Sequence, residues 1–388
     1  MPAYPPPRLG FAPRLALLYA AIFVLGGVQL PFFPLWLEAK GLDAATIGLA
    51  LAVPMVVRVL AIPLAAREAD KRDALRAALM VATGASVAGY LLLAFAEGAP
   101  AILAAFALAS LAYTPVMPLT DAYALKGLGQ RGRAYGPVRL WGSAAFIAGN
   151  FAAGFATDVM APRHLIWLIV AGVAVVALST LPLEPLSTPA IEAPAAPRKT
   201  LLRDPVFLAV VIGGSLIQSS HALFYGFSAL AWRARGLDGG AIAALWALGV
   251  VAEIALFALQ GRLPRAVTAN ALLLVGALGA ALRWSIMALD PPVAALPFLQ
   301  LLHAASFGAT HLGALTFIAR HAPSGQAASA QGYYAIAQGV AMAAATGMSG
   351  WLYGAFGTAA YGAMALAAIA GGACGVIASQ MMRRVAVS

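Results

Sequence analysis

The sequence predicts an all-α membrane protein whose twelve spans form two similar six-span halves. Three observations carry this expectation. Hydrophobic residues make up 62% of the 388-residue chain and charged ones only 10%, against about 45–50% and 25% in soluble domains. Apolar runs of about 20 residues, enough to cross a bilayer as a helix, recur along the whole chain. The turn Gly41-Leu42-Asp43 also returns as Gly236-Leu237-Asp238, with LWLEAKGLDAATIGLAL lying without gaps over LAWRARGLDGGAIAALW. Self-similarity of this kind in so apolar a chain marks a duplicated membrane bundle.

The spans are read in order as follows. Residues 1–12 are a proline-rich cytoplasmic lead-in. Span 1 (13–37) is too long for a signal-peptide core and lacks a clear cleavage site. After the first GLD turn comes span 2 (45–66); the charged stretch AREADKRDALR then separates it from span 3 (74–96). Span 4 (99–124) carries Pro115 and Pro118, and KGLGQRGRAYGPVR leads into span 5 (137–157) and span 6 (163–183). Residues 184–204, rich in Pro, Ala and basic side chains, read as a flexible linker between an N-terminal half (13–183) and a C-terminal half (205–382). Span 7 (205–232) ends at the second GLD turn, followed by spans 8 (240–261), 9 (267–289) and 10 (293–319). The stretch ARHAPSGQAASAQGYY opens span 11 (327–354), and span 12 (358–382) leaves a short tail, 383–388. Prolines at 31, 34, 54, 63, 115 and 118 interrupt helical hydrogen bonding and permit kinks. Small-residue runs such as GVAMAAATGMSG allow close helix contact.

A net charge of +10 raises the question of nucleic acid, but the distribution answers it. Most Lys and Arg lie in alternate loops, among them Arg14, Arg67, Arg72, Arg76, Arg131, Arg133, Arg203, Arg262 and Arg320. The opposite loops hold Lys40, Arg163, Arg233 and Arg235, and Arg58, Arg139 and Arg283 lie within spans. By the positive-inside rule both termini are cytoplasmic. The basic balance therefore reports topology and contact with anionic lipid, with no nucleic-acid partner. The single cysteine, Cys374, excludes an intramolecular disulfide and implies no metal cluster. No cofactor motif is present.

An ionisable side chain at the bilayer centre costs at least about 2.5–3.5 kcal/mol, so each one needs a partner, a wet cavity or a function. Arg58 and Glu253 stand alone at equivalent depths of the two halves. They are either a structural lock or part of a central site, and Glu253 is a candidate proton carrier. Arg139, Ser143, Phe146 and Asn150 form one polar line at helical spacing. His303, Phe307 and His311 form another, as do Gln218, His221 and Tyr225. Imidazole titrates near neutrality, so His303, His221 and His311 are candidate proton relays, with hydrogen-bonded packing as the plain alternative. Gln29, Phe33, Trp36 and Tyr334 contribute an aromatic wall or simple packing. An aromatic wall beside an arginine suits a hydrophobic carboxylate, offering area for its ring and a guanidinium for its anion.

Two six-span halves, a central linker and the loop Asp70-Lys71-Arg72 resemble the major facilitator superfamily, although Asp73 occupies the glycine position of that loop motif. The strings GGVQLPFFPLWLEAKGLD, PLTDAYAL, YGPVRLWGSAAFIAGN and LIQSSHALFYGFSALAW together resemble the 3-phenylpropionic acid transporter family, a relative of the lactose and nucleoside proton symporters. The resemblance implies proton-coupled uptake of a small organic solute across a bacterial inner membrane. It makes Asp121 and Arg139 substrate-binding candidates, because lactose permease places a carboxylate and an arginine at the same separation. An ion pair between neighbouring helices is the alternative there. Arg283 and His303 have the spacing of that permease's coupling residues, but Ser306 stands where a carboxylate is expected. Coupling then runs through Glu253 and the histidines, or is absent.

The expectation is a monomeric secondary transporter with Asp121, Arg139, Arg58, Arg283, Asn150, Gln29, Phe33, Trp36, Tyr225 and Tyr334 at the substrate. Its substrate would be an aromatic carboxylate such as 3-phenylpropionate, carried with protons by alternating access. The rival readings are a sugar or nucleoside permease, and an exporter of amphipathic compounds. A membrane enzyme or a solute sensor is more remote. No Gly-x-Ser-x-Gly, His/Cys cluster or phosphate-cradling loop is present for the first, and no soluble output domain for the second.

Overall fold

The computed structural model describes residues 10–72, 74–186, 201–262, 264, 267–323 and 326–387. Most of the lead-in, the linker from 187 to 200, Asp73, Arg265 and Ser388 lie outside the described residues. The described residues are helical, with no strand among them. In order they form α1 (Phe11–Ala39), α2 (Ala44–Lys71), α3 (Leu75–Phe95) and α4 (Ala99–Tyr113, resuming as Val116–Gly129). Next come α5 (Gly136–Val159), α6 (Leu165–Thr180), α7 (Pro205–Ser219, resuming as Ala222–Ala234), α8 (Gly239–Leu259) and α9 (Ala269–Ala288). The last three are α10 (Leu296–Leu301 and, after a π turn at Ala304–Ala309, Thr310–His321), α11 (Ala327–Phe356) and α12 (Tyr361–Val387). Among the described residues ten stretches are long and apolar enough to cross a membrane, and one of them, Ser329–Arg383, takes in α11 and α12 together. Large apolar side chains such as Leu60, Leu64, Val81, Phe95, Phe155, Leu278, Phe298 and Leu366 are exposed. Such a surface suits hydrocarbon, and helices meet the demand that backbone polar groups be satisfied there.

By packing, the chain divides into two compact units. One holds the chain up to Trp36 and from Val57 into the linker; the other holds Leu37–Val56 and the chain after the linker. The end of α1 and the first half of α2 thus pack with the second unit. Backbone contact explains part of this: a Cβ on Gly48 would meet Gly350 Cα at 2.7 Å, and one on Gly350 would meet the Ala44 carbonyl at 2.2 Å. Only glycine permits that approach of α2 to α11.

The repeated GLD motif is a repeated helix-end device. Gly41 and Gly236 adopt φ of 81° and 84°, the left-handed region that favours glycine. Leu42 and Leu237 then donate their N–H to the carbonyls of Leu37 and Trp232, closing α1 and α7 in the same way. Asp43 and Asp238 follow as caps, accepting from Thr46 N at 2.8 Å and Ala241 N at 2.6 Å at the starts of α2 and α8.

In the first unit α3 packs on α4 and α6. Pro115 lacks an N–H, and α4 breaks beside it; α1, by contrast, runs unbroken through Pro31 and Pro34. The end of α6 is held by basic side chains from elsewhere in the unit. Arg76 donates to Leu181 O, Arg14 to Pro182 O and Glu184, and Arg131 to Glu184. In the second unit α12 packs on α7 and α9, and α11 on α7. Within α7, Ser219 and Ser220 donate back to the carbonyls of Leu216 and Ile217, and the helix breaks at that point. Such back-bonding competes with the helical ladder and bends it.

Candidate functional site

Each unit encloses a polar cluster that its helices place in an otherwise apolar interior. In the first unit the cluster is built on Asp121 of α4. One carboxylate oxygen, Oδ1, accepts from the Tyr19 hydroxyl at 2.6 Å and the Tyr135 hydroxyl at 2.8 Å. Arg139, one turn after Tyr135 on α5, lies with its guanidinium 4.0 Å from the Phe23 ring centre and 5.7 Å from that of Tyr19. Among the described residues no carboxylate pairs with Arg139. The ion pair weighed as the alternative for Asp121 and Arg139 is therefore replaced by tyrosine hydroxyls on one side and aromatic faces on the other. Tyr19, Phe23 and Tyr135 were absent from the sequence-derived site. Their signal was the one-turn spacing of Tyr19 to Phe23 and of Tyr135 to Arg139.

The remaining candidates of this unit spread out. Asn150 is buried on α5, where the Phe146 carbonyl and Asn150 amide come so close to Gly27 that a Cβ there would meet them at 2.1 and 2.7 Å. Gln29 donates to the Tyr90 hydroxyl at 2.9 Å. Phe33 and Trp36 are buried and stacked at 5.4 Å, with Phe106 against Phe33. Arg58 is half-buried on α2.

The second unit holds the denser cluster. Arg283 of α9 is fully buried. Its guanidinium donates to Gln300 Oε1 at 2.6 Å, His303 Nδ1 at 3.2 Å and Ser306 Oγ at 3.5 Å, and packs on the rings of Phe224 and Trp284. His303 turns its other nitrogen, Nε2, to Glu253 Oε2 of α8 at 3.5 Å. His221, which follows the break in α7, contacts Ser306 Oγ through Nε2 at 3.1 Å and the Gln218 carbonyl through Nδ1 at 3.2 Å. Trp284 donates to Ser220 at 2.9 Å.

The π turn of α10 assembles this arrangement. It adds a residue to the helical turn between His303 and Thr310, and π turns concentrate at functional positions. His303, Phe307 and His311 stack along it, at 5.1 and 6.2 Å between successive rings. Gln218 of α7 donates to the Phe307 carbonyl at 3.3 Å. Tyr225 stacks on His221 and adjoins Trp246. Tyr334 instead packs in an apolar core of α7, α9, α10, α11 and α12.

One imbalance stands out in the second unit. Arg283 Nε, Gln300 Nε2 and Trp246 Nε1 are buried donors with no acceptor among the described residues. Phe224 links two of them, with Trp246 stacked on its ring at 4.7 Å and Arg283 above it at 4.6 Å. Buried polar groups are ordinarily paired, so donors in excess call for an acceptor.

Comparison with known proteins places this chain. The pattern of the MFS_1 like family matches residues 13–362. The chain is 36% identical over 370 residues to the "Probable 3-phenylpropionic acid transporter" of Escherichia coli (strain K12), covering 92% of this chain and 94% of the relative. It is 28% identical over 346 residues to the "Maltose permease" of Geobacillus stearothermophilus, covering 87% and 86%. The fold matches a crystal structure of the nucleoside transporter NupG with a TM-score of 0.84 at 16% identity, over 96% of this chain and all of that one. A bacterial homolog of the human lysosomal transporter Spinster matches at 0.72 and 15%, over 95% and 96%. The chain belongs to the MFS_1 like family: it is a multi-pass membrane transporter of the major facilitator fold and not an enzyme.

Proposed function

We propose that this transporter imports a small organic acid, an aromatic carboxylate such as 3-phenylpropionate, together with protons and by alternating access. It works as a monomer in a bacterial inner membrane with both termini cytoplasmic. The contact of Glu253 with His303 carries the coupling part of this reading. Position 306 lacks a carboxylate, and α8 brings one to the same histidine from another helix. A carboxylate facing an imidazole inside a membrane bundle is a group that can take and release a proton during transport.

The substrate part is supported by the name of the Escherichia coli relative and by two features of the clusters. Arg139 lies against aromatic rings without a carboxylate partner among the described residues, which suits a ligand with both a ring and an anion. The donors Arg283 Nε, Gln300 Nε2 and Trp246 Nε1 lack an acceptor, which a carboxylate would supply. A sugar permease is the second reading, supported by the maltose permease relative.

Counterflow in proteoliposomes tests the substrate. Vesicles preloaded with unlabelled 3-phenylpropionate, maltose or a nucleoside are given the labelled counterpart. Exchange of the acid alone is expected. Exchange of maltose without the acid would replace this reading with the sugar permease.

A further inference from the structure

We infer that Arg283 is a positioning residue that fixes the tautomer of His303, so that Glu253 and not His303 carries the transported proton. This rests on the coupling role proposed above and assigns the roles within it.

The direction of each hydrogen bond sets the tautomers. A guanidinium has donors only. Arg283 approaches His303 Nδ1 at 3.2 Å, so Nδ1 must present its lone pair. The ring proton then resides on Nε2, the nitrogen that faces Glu253 at 3.5 Å. A carbonyl, in turn, only accepts. The Gln218 carbonyl faces His221 Nδ1 at 3.2 Å, so that nitrogen carries the proton and Nε2 accepts from the Ser306 hydroxyl at 3.1 Å. Ser306 Oγ is left free to receive the Arg283 N–H at 3.5 Å. The two histidines are thereby fixed as opposite tautomers, and the network has one consistent sense from Arg283 outward to both.

The charged and titratable groups facing His303 are few. Arg283 comes from α9, Glu253 from α8, and His221 from α7 with its ring centre 5.5 Å away. Tyr225 of α7 interacts electrostatically with both Glu253 and Arg283, Tyr361 of α12 with Arg283, and His311 of α10 with Glu253. A second proton on His303 would place an N–H against the Arg283 N–H with no acceptor between them. Glu253 meets no such obstacle, because its carboxylate faces a donor. In the transport step one proton binds a Glu253 oxygen on one side of the membrane and leaves the same oxygen on the other. His303 keeps its own Nε2 proton throughout. Arg283 acts through His303, and its replacement by lysine preserves a donor where methionine removes it.

Nitrogen-15 NMR of the full-length protein labelled at histidine tests this without any transport assay. Protonated and bare ring nitrogens have well separated shifts, and spectra of His303→Gln and His221→Gln assign the two residues. The expected result is His303 protonated at Nε2 and His221 at Nδ1 at neutral pH, with Arg283→Lys unchanged at His303. Arg283→Met is expected to give mixed His303 tautomers and a new titration of that ring. His303 carrying its proton on Nδ1, or on both nitrogens, in the unaltered protein would overturn the inference. That measurement stands even if Arg283→Met fails to fold. Failure of proton-driven uptake with the expected spectrum would instead remove the coupling role and leave the tautomers in place.

Discussion

Glu253 and His303 face each other at 3.5 Å from different helices, although neither the repeat nor local spacing pairs them. Glu253 stands on α8 and His303 at the start of the π turn of α10. The contact brings a carboxylate to His303 from another helix, while position 306 holds a serine. Ser306, occupying that position, serves the histidine of α7 instead.

In the proposed reading Arg139 is the guanidinium of the first unit that meets an anionic solute. Arg139→Met is expected to weaken binding of the acid by about tenfold or more, the scale of one lost hydrogen bond to a charged group at about 1.5–3 kcal/mol. Arg139→Lys should recover part of it. Competition binding with labelled acid in detergent checks this, and equal affinity in the methionine variant would take Arg139 out of the site.

Tyr19→Phe removes one of the hydroxyls on Asp121 and leaves that of Tyr135 in place. The expected effect on stability is modest, about 1 kcal/mol, because the carboxylate keeps a donor. Asp121→Ala should cost more, since it strands both hydroxyls. Thermal unfolding in detergent separates the two, and the reverse order would contradict the geometry.

The close passage of α2 and α11 makes a packing prediction. A Cβ at position 350 would lie 2.2 Å from the Ala44 carbonyl. Gly350→Ala is therefore expected to destabilise the protein by about 1–3 kcal/mol, the usual cost of forcing a methyl group into a filled contact. Gly84, with nothing within 4 Å of a built Cβ, is the control. Gly84→Ala should be neutral or slightly stabilising by the same unfolding assay.

Asp204 makes a pH prediction. Its carboxylate caps α7 by accepting from Val206 N and Phe207 N and meets His321 Nε2 at 2.5 Å. Partial burial pushes its pKa up, but the His321 and backbone hydrogen bonds outweigh that and hold it below its ordinary value of 3.8. A depressed carboxylate contributes stability that is fully present above the ordinary value and is lost as pH falls through the lower folded one. Asp204→Ala should therefore lower stability by about 0.5–2 kcal/mol at neutral pH, the range for a lost N-cap. The gap should close only below pH 3.8. A difference that has already closed above pH 3.8 would contradict this assignment.

The sequence made the fold legible because its strongest signals are local. Apolar runs marked the helices, and the GLD repeat marked paired helix ends whose glycines and aspartates act within a few residues of themselves. The site was legible in residue types more than in pairings. Arg283, His303, Glu253 and His221 were all read from the sequence, yet their partners depend on which helices pack together. Tyr19 and Tyr135 were missed because their shared partner, Asp121, stands on a different helix that local spacing does not connect to them. The break in α7 and the π turn in α10 left no proline to announce them. Back-bonding serines formed the first, and neighbouring Thr310 bonds back to the Ser306 carbonyl in the second. The division that sends the start of α2 to the second unit rests on Gly48 and Gly350, far apart in the chain.

The most direct test of the central claim is uptake of radiolabelled 3-phenylpropionate into proteoliposomes, with and without an inward proton gradient, for the unaltered protein and for Glu253→Gln. The account predicts gradient-driven accumulation by the unaltered protein. The variant should lose that accumulation while still exchanging labelled for unlabelled acid. Accumulation by Glu253→Gln at the unaltered level would contradict it, because a proton would then be crossing without the carboxylate assigned to carry it.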